Sequence, residues 1–121
     1  MIEVACGIMK NNQGLILMGL RSKDSEDGGL WEFPGGKREK NENIEDCLRR
    51  EFMEELNLKI TIDSEIYQNK YKNYLVRFFK GKIMNELDIK KNVHDDLIFI
   101  KKDSIKELKI FKEDLKVIKR I

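Results

Sequence analysis

The chain has 121 residues, of which 40% are hydrophobic and 38% charged, yet its formal net charge is only +2. That near-balance excludes a protein dedicated to coating nucleic acid, and no stable nucleic-acid partner is expected. No apolar run approaches the ~20 residues of a membrane span, and no basic-then-apolar leader opens the sequence. The expectation is one domain over residues 1–121 with a single proper core, in the cytoplasm, with Cys6 and Cys47 as reduced packing thiols because they show no CxxC spacing.

In chain order, Met1–Met9 and Leu15–Leu20 are apolar runs flanking Asn11-Asn12-Gln13-Gly14, the composition of a hairpin turn. Ser22–Gly29 is polar, ends in Gly-Gly and is predicted to be a mobile loop. From Asn43 to Leu56 there is neither Gly nor Pro, which predicts a helix of about four turns with Asn43 as N-cap. Leu58, Ile60 and Ile62 alternate with Lys59 and Thr61 as in a half-buried strand. Further strands are predicted around Glu65–Tyr71, Tyr74–Ile83 and Leu97–Ile100, where Tyr67, Tyr71 and Tyr74 form a strand-borne aromatic surface. Leu108, Phe111, Leu115 and Ile118 recur at helical spacing and predict a C-terminal amphipathic helix. Strands before and after a central helix, with another helix at the end, give an α/β architecture with a mixed sheet between helices.

The central helix carries an anomaly. Ile44, Leu48, Glu51 and Glu55 fall within roughly 60° of one another at 100° per residue, so the apolar stripe is continued by carboxylates. Glu54 flanks the same face. Ionised carboxylates at i, i+3 and i+4 repel, by a few tenths of a kcal/mol per exposed pair and by more when partly buried. A solvated charged face is the bland alternative in so charged a chain. A cation among the acids would remove the repulsion, and oxygen ligands suit a hard ion, Mg²⁺ or Mn²⁺.

Ahead of the helix stands Trp31-Glu32-Phe33-Pro34-Gly35-Gly36-Lys37; from Gly36 to Leu58, Gly36, Glu42, Arg50-Glu51, Glu54-Glu55 and Leu58 keep a fixed spacing. This resembles the signature of the Nudix hydrolases, G-x5-E-x7-R-E-U-x-E-E-x-G-U, with U apolar. One position departs: Asn57 replaces the last glycine. Asn is the next most tolerant residue of a left-handed helix end, so the exchange should cost at most about 1 kcal/mol.

The resemblance implies a Nudix-type α/β/α sandwich with a mixed β-sheet between helices. It implies Glu51 and Glu55 as principal metal ligands, Glu54 as a further ligand or water-positioning base, and the Gly35 carbonyl completing the shell. Arg50 would orient a box carboxylate, Glu42 would tie the loop to the helix, and Gly36 would be structural. The implied reaction is attack of water on a nucleoside diphosphate derivative. The run Trp31–Lys37 looks most like the MutT branch, which acts on oxidised or other non-standard nucleoside triphosphates such as 8-oxo-dGTP, giving monophosphate and pyrophosphate. Dinucleoside polyphosphates, nucleotide sugars, RNA 5′ ends, or binding without catalysis are the competing readings.

Arg21, Phe33 and Asp114 are the candidate substrate-binding residues by that likeness. Each has a plainer reading: a strand end in solvent, a core aromatic, and a solvated residue of the last helix. An extra carboxylate, as ligand or general base, would come from Asp96, with Asp95 the alternative. His94 reads as a surface or capping residue and takes no part in the mechanism.

Overall fold

A computed structural model describes residues 1–121. Its strands are β1 (Ile2–Lys10), β2 (Ile16–Leu20), β3 (Trp31–Glu32), β4 (Gly35–Lys37), β5 (Ile60–Tyr71), β6 (Tyr74–Ile83) and β7 (Asp96–Ile100). Two α-helices, α1 (Ile44–Leu56) and α2 (Lys112–Leu115), are joined by 3-10 turns at Glu86–Asp88, Lys102–Glu107 and Ile118–Arg120. No helix is long and apolar enough to cross a membrane.

The turn at Asn11 to Gly14 forms as expected, with Gly14 at φ 77° and the Asn11 side chain accepting from Gln13 and Leu15 N–H. Beyond the pair Lys10–Ile16, β1 and β2 separate. β1 continues between parallel β6 and antiparallel β4, whereas β2 lies between antiparallel β3 and β7. Phe33-Pro34 is therefore the bridge by which the chain leaves the β2 ladder and joins the β1 ladder. The expected strands at Ile60–Ile62 and Glu65–Tyr71 are one strand, β5, bent by irregularities at Ile62/Ser64 and Glu65/Tyr67.

Apolar residues cover both faces of this mixed sheet, giving the α/β/α sandwich. On one side Ile44, Cys47, Leu48, Phe52 and Leu56 of α1 pack on Ala5, Met9, Leu17 and Phe79. On the other, Ile8, Ile16, Met18, Phe33 and Phe78 meet Ile105, Ile110 and Val117 of the C-terminal segment.

That segment departs from expectation. Instead of one amphipathic helix over Leu108 to Ile118, only Lys112–Leu115 is α-helical, and Leu115 is half exposed. The reason is a competing set of backbone bonds. Trp31 N–H donates to Lys109 O, and Phe111 N–H donates to Trp31 O, both at 2.8 Å, so Ile110 runs extended beside Trp31. Helical periodicity is overridden by a strand-like partner.

Helix α1 matches its predicted limits because its caps are local. Asp46 N–H donates to Asn43 Oδ1 at 2.8 Å. At the other end Asn57 is left-handed, φ 56°, and its N–H donates to Met53 O while Leu58 N–H reaches Phe52 O. Lys90 and Asn92 N–H groups and the Asn92 side chain satisfy the last carbonyls, Leu56, Glu55 and Glu54.

Candidate active site

The acids of α1 face β4. Gly36 is bare there for a reason: a Cβ on it would sit 2.3 Å from the Glu51 carboxyl carbon. Gly35 is equally confined, since its Cβ would meet Ala5 O at 1.8 Å across the β1–β4 ladder. Arg50 gathers the surrounding groups. Its Nε and Nη2 donate to the two Glu42 oxygens at 3.0 and 2.8 Å, Nη2 donates to Lys37 O, and Nη1 donates to Glu51 and Glu54. Arg50, and then the Glu39 N–H, hold Glu42 down at about 2. Glu42 and Arg50 thus fasten the loop after β4 to the helix.

Glu55 is the electrostatic outlier. Burial first, then the hydrogen bond and charge of Glu51, then the charges of Glu32 and Glu54, push its carboxyl up to about 9. Burial and the neighbouring Glu51 thus keep the Glu55 carboxyl from ionising as an ordinary exposed acid does at neutral pH.

These residues fit a hard divalent ion. The donor set is all oxygen, and the nearby Cys47 is no competing thiolate, because burial pushes it up to about 12 and its Sγ–H points to Gly36 O. The acids do not already close into a cluster of three or more, and Arg50 engages Glu54 and one oxygen of Glu51. A cation among these acids would relieve the crowding of negative charge that helps to raise Glu55.

Beside the acids, on the far side of β4, opens a cavity of about 300 Å³ lined by Arg21, Glu32, Phe33, Gly35, Gly36, Tyr71, Tyr74, Phe111 and Asp114, among others. All three candidate substrate residues line it. Arg21 does not end in bulk solvent: Nη1 bonds Glu32 Oε1 at 2.6 Å, and the guanidinium lies 4.6 Å from the Phe111 ring centre. Phe33 is a core aromatic that also walls the cavity. Asp114 is buried, not solvated; Oδ2 accepts from Phe33 N–H at 2.7 Å, and burial outweighs that bond, raising its carboxyl well above the usual range. The broken C-terminal segment is what brings Asp114 in.

Asp96 is exposed at the start of β7, where its Oδ1 accepts from Leu97 N–H, and it does not line the cavity. Asp95 Oδ2 accepts from Lys23 N–H and so helps hold the Ser22–Gly29 segment, which is a run of hydrogen-bonded turns. His94 corrects its reading: it is buried, with Nε2 2.9 Å from Glu32 Oε2. Glu32 itself was missed, although a single acid between Trp31 and Phe33 was the available signal. Glu113 was missed too; buried on the cavity wall, it accepts from Asn69 Nδ2 and pairs with Lys116.

The profile of the NUDIX domain matches residues 2–120. An 8-oxo-dGTP diphosphatase of Proteus vulgaris is 38% identical over 60 residues, 50% of this chain and 54% of that protein. A CTP pyrophosphohydrolase of Escherichia coli is 44% identical over 62 residues, 51% and 45% of the two chains. The chain thus spans about half the length of these relatives. In fold, a MutT protein from Methanosarcina mazei superimposes with a TM-score of 0.85 at 20% identity, over 98% of this chain and 91% of the other. The Escherichia coli ORF135 protein gives 0.79 at 24% identity, over 98% and 86%.

Proposed function

The chain belongs to the Nudix family, and from that premise we propose that it is a Mg²⁺-dependent pyrophosphohydrolase of nucleoside triphosphates, acting on oxidised or other non-standard ones. One observation carries the reading: the Glu51 carboxyl packs against Gly36, which also lines a cavity sized for a nucleoside, with the buried Glu55 carboxyl beside Glu51. Relatives named for 8-oxo-dGTP and for CTP support a nucleotide substrate and leave two bases to test.

Glu51 and Glu55, with Glu54 and the Gly35 carbonyl, would hold the ion. Bound there, it would neutralise diphosphate oxygens and lower the pKa of a coordinated water. Arg50 keeps Glu51 and Glu54 oriented, and Glu42 keeps Arg50 in place, so these acids need little rearrangement on binding. Glu54, the more exposed acid in Arg50's grip, would serve either as a further ligand or to position the attacking water. Water adds across a phosphoric anhydride, giving nucleoside monophosphate and pyrophosphate.

The cavity then takes the nucleoside. Phe33, Phe111 and the aliphatic part of its wall cover the base, while Asp114, held neutral by burial, offers both a donor and an acceptor to the base edge. Arg21, stacked on Phe111, forms the rim.

A Mg²⁺-dependent screen with product identification over ordinary and damaged triphosphates tests this. Preference for 8-oxo-dGTP establishes the leading reading. Preference for CTP moves the substrate while keeping the chemistry. Binding without turnover of any nucleotide refutes the enzyme.

A further inference from the structure

We propose that His94 is a positioning residue for nucleotide recognition, fixing Glu32 as the acceptor that meets hydrogen-bond donors of the bound nucleoside. The proposal rests on the hydrolase reading above only for the identity of the ligand.

Glu32 stands at a junction. It lines the cavity, with one carboxylate oxygen bonded to Arg21 and the other to His94. A carboxylate there repels phosphate oxygens, so its complement is the donor-bearing part of a nucleotide, an amine or hydroxyl of the nucleoside.

His94 reaches it by an arrangement that local sequence does not announce. Gly19 of β2 pairs with Glu32 on one side and Leu97 of β7 on the other. Leu17 belongs to the helix-side core and Met18 to the opposite one, so Gly19 faces the helix side by strand alternation. With no side chain at Gly19, the imidazole lies over the strand and crosses to β3; a Cβ there would be 2.4 Å from His94 Cδ2. The backbone is anchored on both sides of the ring. Asn92 N–H donates to Glu55 O and its side chain to Glu54 O, while Asp95 N–H donates to Leu20 O. The ring is thereby tied to the end of the helix that carries the acids.

The bond pattern assigns the tautomer. Nε2 faces a carboxylate oxygen at 2.9 Å and so carries the proton; Nδ1 has no partner within the protein and is the bare nitrogen. Arg21 holds the other Glu32 oxygen, and its own Nε is likewise without a partner. The two buried side-chain polar atoms left unpaired in this fold both belong to the residues that clamp Glu32. Buried polar atoms are normally paired, and exceptions gather at working sites.

The test has a structural and a functional arm. In wild-type protein, long-range ¹H–¹⁵N correlation of the imidazole should show the Nε2–H tautomer; an Nδ1–H ring overturns the proposal even if no variant folds. His94→Leu should raise KM for 8-oxo-dGTP or CTP, whichever is turned over, at least tenfold with kcat within threefold, and His94→Gln, whose amide can donate to Glu32, should recover most of the loss. Should the protein hydrolyse nothing, binding of 8-oxo-dGMP and CMP followed by the fluorescence of Trp31 replaces KM, so failure of the enzyme reading stays separate from failure of this one. Unchanged KM and affinity in folded His94→Leu, a fall in kcat alone, or equal defects in Leu and Gln variants would each overturn it.

Discussion

Replacing Glu55 by Gln in metal-free protein isolates the proton of the buried carboxyl. In the folded chain burial, then Glu51, push the Glu55 carboxyl up to about 9, against 4.5 for an ordinary solvated glutamate. Below pH 4.5 both states are protonated and the contribution is fully present. As pH rises, the unfolded chain loses its proton first, so stability declines until the folded carboxyl ionises near 9. Each pH unit inside that window costs up to 1.36 kcal/mol, so moving from pH 6 to 8 removes at most about 2.7 kcal/mol. Glu51 lies beside it and is one cause of the rise, which makes that figure a ceiling. It is still a large part of the 5–15 kcal/mol typical of a small domain. Urea unfolding in EDTA at pH 6, 7 and 8 should show wild-type stability falling and the Gln variant staying nearly flat. Divalent ions must displace the same proton, so Mn²⁺ affinity of wild type should climb with pH, by up to about tenfold per unit. Parallel stability curves for the two proteins, together with a pH-independent Mn²⁺ affinity, would refute the inward carboxyl pair.

Gly36→Ala should keep the fold and lose most hydrolysis, because the new methyl occupies the place of the Glu51 carboxylate; circular dichroism and Mg²⁺-dependent turnover check it. Arg50→Lys should lose the two-oxygen grip on Glu42 and lower kcat by an order of magnitude or more in steady-state kinetics. Asn43→Ala removes the acceptor for Asp46 N–H and should cost about 1 kcal/mol by denaturant titration, with kcat unaltered. Asp114→Asn can still accept from Phe33 N–H, so it should fold normally while changing the ranking of bases in the substrate screen.

What was legible beforehand is whatever depends on neighbours along the chain. Caps at Asn43 and Asn57, the turn at Asn11–Gly14 and the acids at helical spacing are all settled within one or two turns of backbone, and α1 appears where they place it. The intact spacing from Gly36 to Leu58 likewise carried the family. Tertiary structure decided the rest, because those features depend on residues brought together from far apart. Trp31 takes the backbone bonds of Lys109 and Phe111, which breaks the last helix and turns Asp114 from a surface position into a cavity wall. Gly19, by lacking a side chain in β2, lets a histidine 75 positions later reach Glu32. No periodicity records such a crossing: a lone histidine before a strand looks the same whether it faces water or a buried carboxylate, until the sheet sets the two side by side.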